Sequence, residues 1–206
     1  IKGKTIGIIG LGAIGSLVAD SAFSLGMKVY GYDPYLSLMA ALRLNPQIKL
    51  VHNLEDIFTK SDFISLHLPV TDSTKNMISA EQFVKFKDGA SLINMARNGL
   101  VNDDDLVEAL DGGKLHRYCT DFASKKLVNT KNTIVFPHLG ASTEEAEENC
   151  ATMVVEEIID YILNGNVLNS VNLPNLDARQ AETGKRLCVI HEADQQTVAQ
   201  IHQNMS

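Results

Sequence analysis

In residues 4–25, KTIGIIGLGAIGSLVADSAFSL, an apolar strand, a glycine turn and an apolar helix follow one another directly. Gly10, Gly12 and Gly15 stand in G-x-G-x-x-G spacing between strand and helix. That context, within a βαβ unit of about 30 residues, gives the motif its meaning. Gly10 permits the tight turn, Gly12 lets the backbone approach a pyrophosphate, and Gly15 lets the helix pack close to the strand. The helix N-terminus then offers unpaired amides and a partial positive charge to phosphates. The next strand, MKVYGYD, ends in Asp33, 18 residues after Gly15. A carboxylate there accepts hydrogen bonds from both ribose hydroxyls and repels a 2′-phosphate. Pro34 and Tyr35 follow, with no arginine before Arg43, so the expected cofactor is NAD rather than NADP. A glycine turn that merely packs a helix, with Asp33 as a solvated strand end, would leave the joint presence of both halves unexplained.

Further strands are expected at KLV, DFISLHL, ASLINMA, HRYCTDF and NTIVFPH, alternating with helices at NLEDIFTKS, SAEQFVKF and NDDDLVEALDGG. Continuous apolar strands separated by helices imply a parallel sheet covered on both faces, an α/β doubly wound fold of Rossmann type. Residues 142–165 read as one long helix, capped by Ser142 or Thr143, acidic in its first turns and stopped by Gly165. The expected division is a dinucleotide-binding domain over 1–165 and a connector over 166–184, part of it returning to a substrate domain. Residues 185–206, with KRLCVIHE as a strand and DQQTVAQIHQNMS as a helix, read as the start of a second domain. The strand entered almost at Ile1, without a Met, suggests a piece of a longer protein.

Net charge is −7, from 18 basic and 25 acidic side chains, which makes nucleic acid and anionic membrane poor partners. The three cysteines, Cys119, Cys150 and Cys188, are too scattered for a disulfide framework or a metal site, and the histidines show no metal spacing. The cysteine usage fits a reducing cytoplasm. No apolar run reaches the roughly 18 residues that a membrane helix needs, and no secretory leader is visible.

In a fold of this order, ligands sit where the first and fourth strands lie side by side, at the carboxyl ends of the strands. That directs attention to HLPVTDST, NMARNG, Asp121 and His138. Here the chain resembles the D-isomer-specific 2-hydroxyacid dehydrogenases, through GIIGLGAIG, SLHLPVTDSTKNMI, LINMARNGLV and above all PHLGASTEEAEENC. The last run is similar to the phosphoglycerate branch of that family, and KRLCVIHEADQQTVAQI to the opening of an ACT-type α+β regulatory domain.

The resemblance implies a set of roles. Arg97 matches the arginine that binds the substrate carboxylate and 2-oxo group, a task that suits a planar, permanently charged fork. His138 matches the general acid-base. Asp121 matches a contact to the nicotinamide amide, while Ala13 and Ile14 match backbone contacts to the pyrophosphate. Met95 and Ala96 match the nicotinamide side, Gly140 and Ala141 the border beyond the histidine, and Pro69 and Thr74 the segment along the cofactor. The implied reaction is oxidation of 3-phospho-D-glycerate to 3-phosphohydroxypyruvate with NAD, in serine biosynthesis. The implied partners are a phosphorylated 2-hydroxy acid and further copies of the chain, as a homodimer or homotetramer. The N-terminal substrate-domain segment is expected to be missing from this sequence. Three rivals stay open: a glyoxylate or hydroxypyruvate reductase or another D-2-hydroxyacid dehydrogenase, a non-catalytic NAD-sensing protein, and a dehydrogenase that has kept NAD but lost catalysis.

There are departures. Asn98 follows Arg97 and Asn102 follows Val101, with Asn98 expected to tolerate positive φ if the turn needs it. Lys126 stands where the family has a glutamate that orients the histidine. Between Asp121 and His138 there are Lys125, Lys126 and Lys131 but no acid. The expectation is therefore either a carboxylate from outside this segment or a histidine with little to hold it. EADQQ lacks the glycine found where such regulatory loops bind an amino acid, which speaks against serine feedback there.

Overall fold

The computed structural model describes residues 1–179, together with Val189, Ala199, Gln200 and Gln203. Seven strands form one sheet in the order β3-β2-β1-β4-β5-β6-β7. They are β1 (Thr5–Ile9), β2 (Lys28–Tyr32), β3 (Lys49–Leu50), β4 (Phe63–Leu66), β5 (Ala90–Asn94), β6 (Leu115–Thr120) and β7 (Thr133–Val135). Every neighbouring pair is parallel. Between them run α1 (Ala13–Ser24), α2 (Leu38–Arg43), α3 (Leu54–Lys60), α4 (Ala80–Lys85), α5 (Asp103–Asp111) and α6 (Lys125–Val128), and α7 (Glu144–Asn164) follows. The expected doubly wound sheet is present, with its switch point between β1 and β4.

Alternation along β1 divides the core. Ile6 and Ile8 join Leu11, Ala19, Ala22, Met27 and Val29 on the face of α1. Ile9 points the other way, into a larger cluster with Ile57, Phe58, Ile64, Leu66, Phe83, Leu92, Leu106 and Leu115. Phe58 and Phe86 stack there with centroids 5.0 Å apart.

Caps follow the chemistry of the sequence. Asn53, Asn102 and Ser124 accept amide hydrogens at the starts of α3, α5 and α6, so the acids of NDDDL are the first turn of α5. Two short helices, α2 and α6, lie outside the expected set. Asn98 does not take a left-handed conformation; the turn after Arg97 uses Gly99, at φ 89°.

Asp62 ties the amino ends of β1 and β4 together. Its Oδ2 accepts the Thr5 amide at 2.8 Å, and its Oδ1 accepts Lys87 Nζ at 2.6 Å. Lys87, then the Thr5 amide, hold the Asp62 carboxyl below its ordinary pKa. A lowered carboxyl pKa stabilises the fold above the unfolded value of about 3.9 and loses that contribution as pH falls through the folded value. Asp62→Asn is therefore expected to be less stable than the wild type at pH 7, with the difference closing below about pH 4. Urea melts at both pH values check this.

The chain divides into two compact units, Ile1–His138 and Leu139–Ser206. The first holds the sheet and α1 to α6. In the second, Thr143 Oγ1 caps α7 by accepting the Ala146 amide at 3.2 Å, and Gly165 ends it at φ 73°. Residues 166–178 fold back on its end. Asn166 donates to Asp160, and its Oδ1 accepts the Ala178 amide. Val167 and Leu176 form an antiparallel bridge. The strand and helix expected in 185–206 fall outside the described residues, apart from four isolated positions. No helix of the described residues is long and apolar enough to cross a membrane.

Candidate active site

At the carboxyl ends of β1, β4 and β5 lies a cavity of about 560 Å³. Gly12, Ala13, Ile14 and Gly15 form one wall, Ser65, His67, Leu68 and Pro69 a second, and Met95, Ala96 and Arg97 a third.

The glycine turn has the shape its spacing implies. Gly10 sits at φ 94°, and a Cβ there would lie 2.4 Å from the His67 carbonyl oxygen. A Cβ on Gly15 would lie 1.9 Å from the Gly10 oxygen, so α1 can approach β1 only because position 15 is bare. Gly12 faces the opposite situation, with no atom within 4 Å of an added Cβ. It is also the N-cap of α1, with no side-chain cap and no acid in the first turn. The starts of the other described helices carry Ser, Asn or Thr at that position. Free amides, a partial positive charge and open space suit the pyrophosphate of a dinucleotide. At the end of β2, Asp33 Oδ2 accepts the Leu11 amide and Oδ1 the Tyr35 amide, both at 2.9 Å. Each oxygen keeps a second lone pair for a ribose hydroxyl. The residues present thus fit NAD.

His67 Nε2 lies 2.9 Å from Ser65 Oγ, and burial lowers its pKa, which favours a neutral ring on the cavity wall.

Arg97 is carried by a loop that buried Asn94 shapes. Asn94 Nδ2 donates to the Arg97 carbonyl at 3.0 Å, and its Oδ1 accepts the Ala96 amide at 3.2 Å. The exposed Arg97 guanidinium donates through Nη1 to the Ala96 carbonyl at 2.7 Å. No carboxylate of the described residues pairs with it, so the fork can receive a ligand's.

Beyond β7, His138 Nδ1 lies 2.9 Å from Asp121 Oδ2. The absence of an acid between positions 121 and 138 therefore does not leave the imidazole alone: the aspartate at the start of that stretch is its partner. The Phe122 ring packs on the imidazole, with centroids 4.8 Å apart. Lys126 is turned to an ion pair with Asp104 on α5. Burial, reinforced by the Asp121 charge, raises the Cys119 pKa and so disfavours its thiolate.

The cavity thus gathers Gly12, Ala13, Ile14, Gly15, Pro69, Met95, Ala96 and Arg97 from the expected set. Gly10 stands behind the turn as its hinge, and Asp33 at the end of β2. Thr74 braces the loop after β4 by donating to the Pro69 carbonyl at 2.7 Å. Asp121 and His138 form their own pair at the ends of β6 and β7. Gly140 and Ala141 belong to the second compact unit. Asn94 and Phe122 were absent from the sequence-based set. Asn94 carries no charge and lies within a strand, while Phe122 reads simply as one more apolar residue there.

The family model of the D-isomer specific 2-hydroxyacid dehydrogenase NAD binding domain matches residues 1–140. A D-3-phosphoglycerate dehydrogenase of Methanocaldococcus jannaschii is 38% identical over 191 residues, covering 90% of this chain and 36% of that protein. Among solved structures, D-lactate dehydrogenase with NAD+ from Lactobacillus jensenii is similar at 32% identity and a TM-score of 0.71, covering 83% of this chain and 56% of that one. A glyoxylate reductase from Paecilomyes thermophila is similar at 29% identity and a TM-score of 0.73, covering 83% of this chain and 53% of that one. The chain spans about a third to a half of the length of the curated relatives it matches.

Proposed function

The chain belongs to the D-isomer specific 2-hydroxyacid dehydrogenase family, and on that premise we propose that its protein oxidises 3-phospho-D-glycerate to 3-phosphohydroxypyruvate with NAD, in serine biosynthesis. The observation that carries the reading is the single cavity in which the open glycine turn faces Met95, Ala96 and Arg97. The preference for a phosphorylated substrate is drawn from the relatives' name.

The amides at Gly12, Ala13 and Ile14 would hold the pyrophosphate, Asp33 the adenosine ribose, and Met95 and Ala96 the nicotinamide end. When bound, the nicotinamide takes up or supplies the hydride. Arg97 grips the substrate carboxylate in two parallel hydrogen bonds and polarises the 2-oxo group. His138 takes the hydroxyl proton during oxidation and returns it to the carbonyl oxygen during reduction. Pro69 and Thr74 hold the loop along the cofactor, and Gly140 and Ala141 follow the histidine at the far border. The residues that bind the substrate phosphate belong to a substrate domain outside this sequence. Residues 185–206 are read as the start of an ACT-like regulatory domain.

The working form is a homodimer or homotetramer in the cytoplasm. In support of assembly, Val155, Ile158, Ile159, Ile162 and Leu163 of α7 stay half or more exposed in the single chain.

The test is NADH oxidation by the full-length protein with phosphohydroxypyruvate, glyoxylate and hydroxypyruvate in parallel. A strong preference for the phosphorylated acid is expected. Preference for glyoxylate would instead favour the reductase reading, which the likeness to the Paecilomyes thermophila enzyme supports.

A further inference from the structure

We propose that Asp121 is the positioning residue of His138, supplying the carboxylate that the chain between them lacks and fixing which imidazole nitrogen exchanges the proton. The proposal rests on the dehydrogenase reading above and adds a role for Asp121 beyond contact with the cofactor.

The pairing is built into the sheet. β6 and β7 are parallel neighbours with Thr120 opposite Val135. Asp121 lies one residue past β6 and His138 three past β7, so the same carboxyl edge presents both. The aspartate side chain is 10% exposed, whereas the histidine is 57% exposed. The anchor is buried and the working group faces out. Asp121 Oδ1 is fully shielded and accepts no hydrogen bond from the described residues, so the carboxylate meets its partner through Oδ2. Thr120 Oγ1 accepts the Phe122 amide at 3.1 Å, and the Phe122 ring lies on the imidazole. The imidazole is thus held at its edge by the carboxylate and over its face by the phenyl ring. The one cation at the matching family position, Lys126, is held by Asp104.

An ionised carboxylate can only accept. Nδ1 must therefore donate, which fixes the Nδ1–H tautomer of the neutral ring and leaves the Nε2 lone pair free. During oxidation the hydroxyl proton passes to Nε2, giving imidazolium with its charge against Asp121. During reduction the same proton leaves Nε2 for the carbonyl oxygen. The proton count closes on the histidine, and Asp121 stays ionised throughout.

The experiment is nitrogen-15 NMR of the His138 imidazole in the full-length protein, at alkaline pH, beside steady-state kinetics. Wild-type protein is expected to show a protonated Nδ1 and an unprotonated Nε2; the reverse assignment overturns the proposal without any variant. Asp121→Asn is expected to lose that tautomer preference and to lower kcat by about 10²–10⁴-fold, beyond any change in NADH affinity from its contact with the cofactor. Asp121→Glu, which keeps the carboxylate, is expected to recover at least about ten-fold of the loss. An unaltered tautomer in Asp121→Asn, or a defect confined to NADH affinity, would make Asp121 a cofactor contact only and sink the proposal. Failure of the wild type to reduce any 2-oxo acid would overturn the dehydrogenase reading separately, because the tautomer is read without substrate.

Discussion

His138→Ala in the full-length protein is expected to reduce turnover in both directions by about 10²–10⁴-fold, the range for removal of a general acid-base. NADH should still bind, because the glycine turn and Asp33 hold their positions through backbone contacts that do not involve the histidine. The loss should fall on kcat, since the proton moves only in the transition state. Asp121, left buried without its partner, adds a stability loss of about 1–3 kcal/mol. Initial rates beside an NADH titration and a thermal melt separate the three effects. Retained turnover with a normal titration would remove His138 from the mechanism.

Two glycines only three residues apart are expected to respond in opposite ways to the same added methyl. In Gly15→Ala the new Cβ would lie 1.9 Å from the Gly10 oxygen. No flexible side chain can yield there, so α1 must move away from β1. The fold should weaken by about 1–3 kcal/mol, and NADH affinity should fall by about 100-fold or more, since each ten-fold is about 1.4 kcal/mol. In Gly12→Ala the Cβ meets nothing, and the backbone at φ −66° suits alanine. That variant should fold with unchanged stability yet bind NADH weakly, because the methyl occupies the space the pyrophosphate needs. Denaturant melts and NADH titrations of both variants provide the comparison. Equal stability of the two would contradict the packing argument, and full NADH affinity in Gly12→Ala would contradict the ligand argument.

The parts of this fold that were legible in the sequence are those set by local chemistry. Every strand expected within the described residues is present because continuous runs such as FISL and SLIN have no stable home but a sheet buried on both faces. The glycine turn was legible for a related reason: Gly10 and Gly15 have steric duties that only glycine meets, and Gly12 leaves open space for a ligand. What could not be read was anything fixed by neighbours distant in sequence. The partner of His138 is a residue 17 positions earlier, and the two meet only because β6 and β7 pair. Counting acids between them left open whether the histidine had a carboxylate at all, and the pairing with Asp121 answers that. Asn94 escaped for a related reason: its amide reaches Arg97 around the turn, while its place within β5 makes it look like an ordinary strand residue. In the turn after Arg97, Gly99 takes the left-handed conformation, so the turn does not draw on the tolerance of Asn98.

NAD is expected to lie across the carboxyl ends of β1, β4 and β5, with its reactive end beside Arg97 and the Asp121–His138 pair. A crystal structure of the full-length protein with NADH tests it most directly. The pyrophosphate is expected on the amides of Gly12 to Ile14, with ribose hydroxyls donating to Asp33 and the nicotinamide beside Met95 and Ala96. NADH bound elsewhere, or bound here with its nicotinamide turned away from Arg97 and His138, would contradict it.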